Sequence, residues 1–175
     1  MEKKNKIIIA VLIVVIVALA IGVATMIFNN SPAGGGSVPE GMQKYNFDSA
    51  FTMEVPKGTV FKKSWNESNE FMLGISKTYE DKNKKFSVMY VTSELINDNA
   101  INFVVEEINS TGNVKVEKEG NLIIVDKLKK SKDLPFDLDK FKHAVLTHEG
   151  HDYIVICGNN TEKIVEMAKT INYSG

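Results

Sequence analysis

The feature that most constrains this chain is the stretch from Ile7 to Phe28, which contains only apolar residues, one glycine and one threonine. A helix needs about 20 predominantly apolar residues to cross the hydrocarbon core of a bilayer, whereas the apolar core of a signal peptide has only about 7 to 15. Ala18 and Ala20 resemble a cleavage site, but cleavage there would leave an apolar N-terminus. We therefore predict a retained transmembrane helix over residues 7–28.

The charges around this stretch predict its orientation. Lys3, Lys4 and Lys6 precede it, whereas the residues that follow it, beginning at Asn29, are uncharged. Positively charged flanks stay preferentially on the cytoplasmic side of a membrane. The sequence thus predicts a single-pass protein of the cell membrane, with a short cytoplasmic N-terminus over residues 1–6 and everything after Phe28 outside.

A linker is predicted next, over residues 29–44. It contains three consecutive glycines, Gly34 to Gly36, together with Ser37, Pro32 and Pro39. Segments of this composition behave as flexible coils, and a random-coil estimate gives a typical reach of about 20 Å. Such a tether would hold a folded domain just clear of the lipid head groups.

The remaining residues, 45–173, have the patterning of one extracytoplasmic α+β domain. Short alternating segments separated by polar turns predict strands. The predicted strands are 45–48, 51–55, 60–63, 71–79, 86–92, 114–118, 122–128, 141–147 and 153–157. The side chains of Phe47, Phe51, Met53 and Val55 are expected on one face. Because the chain has one cysteine, it cannot form an internal disulfide, so its stability must come from a hydrophobic core.

Two helices interrupt the strands. Asp98 or Asn99 could cap the first, whose apolar positions Ile101, Val104, Val105 and Ile108 follow helical spacing before Gly112. Asn159 or Asn160 could cap the second, which is predicted to continue through Ile171 with Ile164 and Ala168 on its inner side. Short connections between neighbouring strands favour antiparallel pairing. We therefore predict an antiparallel β-sheet flanked by two or more helices.

The start of this domain resembles a known family. The segment Tyr45-Asn46-Phe47-Asp48-Ser49-Ala50-Phe51-Thr52-Met53-Glu54-Val55-Pro56-Lys57-Gly58 is similar to the opening of PsbP-like domains, a group related to DcrB-like proteins. The resemblance covers roughly residues 45–173 and implies an antiparallel sheet with flanking helices. It implies no enzymatic activity and carries over no functional residue. PsbP itself is an extrinsic photosystem subunit, but nothing in this sequence indicates photosynthesis.

The three histidines lie close together in the sequence and suggest a metal site. If Glu149-Gly150 formed the turn of a hairpin, His148 and His151 would face each other across it, with Cβ atoms about 4.5–5.5 Å apart. Imidazoles at that separation could bind zinc or copper. His143 is expected on the opposite face of its strand. The alternative is that His148 and His151 form an exposed hairpin pair with no ligand.

Catalysis is not predicted. Cys157 lies in an apolar strand, where a packing role is favoured over that of a nucleophile, which needs an accessible thiolate. No Ser-His-Asp or paired-carboxylate spacing stands out, so a hydrolase is the least favoured alternative. No cofactor is predicted.

Composition and sequons complete the functional prediction. The net charge of −1 is unlike that of a nucleic-acid-binding protein. Asn-x-Ser/Thr sequons, which suit an exported protein, occur at Asn29, Asn66, Asn109, Asn159 and Asn172. We therefore expect a non-enzymatic membrane-anchored domain that binds or stabilises another envelope component. The alternative is a metal-binding or metal-delivery domain that uses His148 and His151.

Overall fold

A computed structural model describes residues 38–67, 74–94, 97–129 and 138–174 of the chain. Within these ranges the chain forms ten strands and two helices. The strands are β1 (Met42–Phe47), β2 (Phe51–Pro56), β3 (Phe61–Glu67), β4 (Gly74–Asp81), β5 (Phe86–Ser93), β6 (Val114–Glu119), β7 (Leu122–Lys127), β8 (His143–Glu149), β9 (Asp152–Gly158) and β10 (Asn172–Tyr173). The helices are α1 (Asp98–Ser110) and α2 (Thr161–Lys169).

Seven strands form the main sheet, in the spatial order β3-β4-β5-β9-β8-β7-β6, and all neighbours are antiparallel. The sheet consists of two meanders, β3 to β5 and β6 to β9, that meet at β5 and β9. At this junction Val88 lies opposite Ile156 and Tyr90 opposite Ile154. The helix α1 is inserted between the two meanders in sequence. This architecture confirms the predicted α+β class with antiparallel pairing.

A second, three-stranded antiparallel sheet has the order β1-β2-β10. Phe47, Phe51, Met53 and Val55 are all fully buried, which confirms the predicted apolar face of the first two strands. Their side chains belong to the same core cluster as residues of β4, β5, β8, β9 and α2. The sequence predicted one sheet; the first two strands instead form a separate sheet, which packs on the face of the main sheet that α2 also covers.

The opposite face of the main sheet is covered by α1. Its Ile101 and Val105 are buried and its Ile108 is partly buried against residues of β6 to β9. Cys157, 3 % exposed, belongs to this second cluster. The predicted packing role of Cys157 is therefore confirmed.

Both helices begin at an asparagine cap. The Asn97 side chain accepts a hydrogen bond from the backbone N–H of Ala100, and Asn160 does the same for Lys163. Asn160 was among the predicted caps, whereas the prediction of Asp98 or Asn99 for α1 was wrong by one residue. Asparagine suits this position because its short side-chain oxygen reaches backbone donors that have no partner within the helix.

The end of α2 also differs from the prediction. The helix stops at Lys169, and Thr170 at its C-terminal cap donates its hydroxyl to the carbonyl of Met167. Asn172 and Tyr173 then pair with Thr52 and Phe51 as β10. The predicted continuation through Ile171 was therefore wrong by two residues.

None of the helices in the described part of the chain is long and apolar enough to cross a membrane. The predicted transmembrane helix over residues 7–28 and most of the predicted linker lie outside the described residues.

Candidate functional site

The hairpin formed by β8 and β9 carries His148 and His151. Its two-residue turn is Gly150-His151, because Glu149 pairs with Asp152 and His148 with Tyr153. Gly150 has a φ of +56°, which a glycine at the first position of such a turn adopts without strain. The turn thus lies one residue later than predicted. The expectation that His148 and His151 face each other across the hairpin was wrong.

The three histidines have separate environments. His148 lies on the α1 face of the sheet, with its Nε2 3.6 Å from Oδ1 of Asp98. His151 lies in the exposed turn. His143 lies on the other face, as predicted, with its Nδ1 2.6 Å from Oδ1 of Asp126 on the neighbouring strand. Among the described residues, no three His, Cys, Asp or Glu side chains converge as a metal site would require.

The pairing of His143 with Asp126 has a definite chemical consequence. A carboxylate that contacts Nδ1 fixes the orientation of the ring and favours the tautomer with the proton on Nδ1. The Nε2 atom is then the basic nitrogen, and the side chain is 24 % exposed. The Nε2 atom of His143 could therefore supply one ligand to a metal ion.

A second polar cluster was not predicted from the sequence. Asp48, in the turn between β1 and β2, forms an ion pair with Lys63 of β3, and its Oδ2 lies 3.3 Å from Nζ of Lys77 on β4. The hydroxyl of Tyr79 donates to the same oxygen at 3.0 Å. Lys63 and Tyr79 are opposite each other in the main sheet. The cluster therefore fastens the small sheet to the main sheet.

The electrostatics of this cluster follow from partial burial and charge. Burial alone would raise the pKa of Asp48, but hydrogen bonds from Lys63 and Tyr79, together with the charges of Lys63 and Lys77, lower it below its ordinary value. Burial and the nearby Asp48 carboxylate raise the pKa of Tyr79 well above its ordinary value. Asp48 is thus an anion and Tyr79 a neutral donor at neutral pH.

This arrangement predicts a pH-dependent contribution of Asp48 to stability. Since its pKa is lowered in the folded protein, the carboxylate stabilises the fold above its ordinary pKa, and the contribution is lost as the pH falls through the lowered value. We expect Asp48→Asn to lower the free energy of unfolding at pH 7 by about 1 kcal/mol, after discounting for solvent exposure. Urea denaturation measured from neutral to acidic pH should show the variant and the wild type converging in acid.

The substitution suits the backbone, because Asp48 has a φ of +54° and asparagine tolerates this left-handed conformation. Asp139→Asn is the matched control, since Asp139 is exposed. An Asp48→Asn curve that stays parallel to the wild-type curve over the whole pH range would contradict the assignment.

A third group of polar side chains lies near β10. The hydroxyl of Tyr90 donates to Oδ1 of Asp152 at 2.8 Å. Burial, followed by this hydrogen bond and the charge of Asp152, raises the pKa of Tyr90 to about 12. Burial also raises the pKa of Tyr173 above its ordinary range. Both phenols are therefore neutral near pH 7, and the Tyr90 hydroxyl acts as a hydrogen-bond donor rather than as a base.

The asparagines of the sequons in the described part of the chain differ in exposure and in hydrogen bonding. Asn109 is exposed in the last turn of α1, and Asn172 is exposed in β10. The Oδ1 atom of Asn159 accepts a hydrogen bond from the backbone N–H of Lys142 at 3.1 Å. Asn66 lies in β3, and Asn29 lies outside the described residues.

In comparisons with known proteins, the chain matches no protein-family model, no curated protein and no solved structure. The resemblance to PsbP-like domains therefore stays a prediction from the sequence.

Proposed function

We propose that this chain is a single-pass membrane protein whose α+β domain lies outside the cell and binds or stabilises another envelope component without catalysing a reaction. The observation that carries the proposal is the order of segments in the sequence. Lysines precede a charge-free stretch long enough to span a bilayer, and a Gly/Ser/Pro-rich linker then leads into the folded domain. The resemblance to PsbP-like domains supports a non-enzymatic role.

The geometry of the domain's first strand suits attachment to a tether. The backbone N–H of Met42 donates to the carbonyl of Pro39, and the N–H of Lys57 donates to the carbonyl of Gly41. From Met42 onward, β1 pairs along its whole length with β2. The end of the linker is thus held where it enters the small sheet.

Cysteine labelling in intact cells tests the topology. Lys57→Cys places a thiol on an exposed turn of the domain, and Asn5→Cys places one before the apolar stretch. We expect a membrane-impermeant maleimide to label Lys57→Cys in intact cells and Asn5→Cys only after permeabilisation. The wild-type chain is the control, because its sole cysteine is buried. Labelling of Asn5→Cys in intact cells would contradict the proposed orientation.

A crosslinked pull-down from native membranes tests the binding role. We expect the wild-type chain to capture an envelope protein. The same protein should be captured when residues 7–28 are replaced by an unrelated transmembrane helix, because the domain is the proposed binding module. Capture that is lost with this replacement would assign binding to the apolar stretch, and capture of nothing by either chain would contradict the role.

Metal binding by His148 and His151 is the alternative function, and one contact favours it. The carboxylate of Asp98 lies 3.6 Å from Nε2 of His148 and is placed to act as an oxygen ligand to a metal ion bound there. Zinc or copper titration of the purified chain, compared with His148→Ala, distinguishes this alternative.

A further inference from the structure

The strand β6 forms one edge of the main sheet in the described part of the chain. Its sequence is Val114-Lys115-Val116-Glu117-Lys118-Glu119. One face of the strand carries Val114, Val116 and Lys118, and the other carries Lys115, Glu117 and Glu119. The side chains of Lys115 and Glu117 lie on the same face as Ile124 and Asp126 of β7. Within one chain, Nζ of Lys115 lies 2.5 Å from Oε1 of Glu117, and the two side chains are 57 % and 53 % exposed, so both can also meet charges on an added strand. Unpaired edge strands can add a strand from another chain, and their charges decide which strand fits.

The pairing of β6 with β7 determines which backbone groups point toward the open edge. The carbonyl of Asn113 accepts a hydrogen bond from the N–H of Leu128 on the β7 side. In an antiparallel pair, alternate residues direct both backbone groups to the same side. Residues 115, 117 and 119 therefore bond to β7, and residues 114, 116 and 118 direct their N–H and C=O groups outward. Val116 lies at the centre of this outward set.

We propose that two copies of this chain associate through their β6 strands, antiparallel about a two-fold axis at Val116. Each Val116 then donates its N–H to the carbonyl of the other copy's Val116. Lys115 of one copy lies opposite Glu117 of the other, and the symmetry repeats this pair. These two pairs occupy non-hydrogen-bonded positions, where Cα atoms are about 4.5 Å apart and side chains are closest. The two main sheets become continuous.

The charges favour this alignment over its neighbours. An axis at Lys115 sets two lysines opposite each other, and an axis at Lys118 sets Glu117 opposite Glu119 twice. An axis at Glu117 retains two lysine–glutamate pairs but also sets two Glu117 carboxylates against each other. Like charges directly opposite each other are destabilising. The alignment at Val116 is the one among these that has opposite-charge pairs and no like-charge pair.

Charge reversal in the full-length chain tests the pairing. Two differently tagged copies are coexpressed, and co-capture from solubilised membranes is measured. We expect Lys115→Glu alone and Glu117→Lys alone each to lower self-capture at least about tenfold, because each change makes both pairs repulsive. Lys115→Glu in one copy should capture Glu117→Lys in the other, and the double variant K115E/E117K should capture itself. Each variant must retain the wild-type circular dichroism spectrum.

Cysteine crosslinking tests the alignment itself. Under mild oxidation, we expect Val116→Cys to form a disulfide-linked dimer, since hydrogen-bonded partners have Cα atoms about 5.5 Å apart and disulfides need less than about 7 Å. Lys118→Cys is the matched control. In the proposed alignment, the cysteine at position 118 of one chain and that of the other chain are four residues apart along the strands, about 14 Å, and should not crosslink.

Two results would overturn the proposal. One is self-capture by the wild type that persists in both single charge variants. The other is the absence of both self-capture and the Val116→Cys crosslink. Because these measurements detect one copy binding another, they are independent of whether an envelope partner is found.

Discussion

Replacing Phe47 by alanine is expected to lower the free energy of unfolding by about 3–5 kcal/mol. Phe47 is fully buried between the two sheets. Its ring stacks on Phe51 with centroids 4.4 Å apart and meets the Tyr79 ring edge-on at 4.9 Å. Phe47 also contacts Phe61 at 5.4 Å. Removing the ring leaves a cavity that these rigid neighbours cannot fill by small movements.

Urea denaturation followed by circular dichroism measures this effect. Phe103→Ala in α1 is the matched control, because the same atoms are removed from a half-buried position. We expect the control to cost less than half as much. Because a domain has only about 5–15 kcal/mol of stability, Phe47→Ala should also leave a detectable unfolded fraction in mild denaturant. Equal costs at the two positions would show that the aromatic layer does not join the sheets as described.

Adding a methyl group at Gly158 is expected to cost about 1–3 kcal/mol. A Cβ atom built at Gly158 lies 2.7 Å from Cγ2 of Ile164, which is closer than real Cβ contacts. Cγ2 branches directly from the Ile164 Cβ atom and so moves only if the side chain rotates or α2 shifts. Glycine at the end of β9 therefore permits α2 to pack closely on the sheet. We expect Gly158→Ala to lower the thermal midpoint.

A double-mutant cycle checks this cause. Ile164→Ala removes Cγ2 and should cost about 2–5 kcal/mol by itself, because Ile164 is buried in the core. In the double variant the added methyl group occupies part of the vacated space. The two costs should therefore sum to more than the cost of the double variant by at least about 0.5 kcal/mol. Additive costs would show that the contact with Ile164 does not determine the need for glycine.

The parts of the fold that depend on local patterns were predictable. Alternation placed Phe51, Met53 and Val55 on one face, and helical spacing placed Ile101 and Val105 inward. Asn160 was among the predicted caps because cap chemistry involves residues only a few positions apart. These signals are local, so a single sequence contains them.

The remaining features depend on contacts between distant segments. Asp48, Lys63 and Lys77 are brought together only when the small sheet lies on the main one, so no spacing reveals their cluster. A two-residue strand such as β10 is too short to show a period. The expectation that His148 and His151 face each other across the hairpin failed for a local reason. Glycine takes the first position of the turn, and that moves the pairing of the hairpin by one residue.

The junction of the two meanders at β5 and β9 has a consequence for how the chain folds. Each meander forms from contacts between neighbouring segments, whereas Val88 and Ile156 meet only after α1 and three further strands have been placed. Closing long loops slows folding, so we expect this pairing to form last. Until then, two apolar inner strands have open edges. During synthesis the edge of β5 in the first meander therefore stays unpaired until β9 has been made. A chaperone that covers this edge at that stage would protect the chain from aggregation.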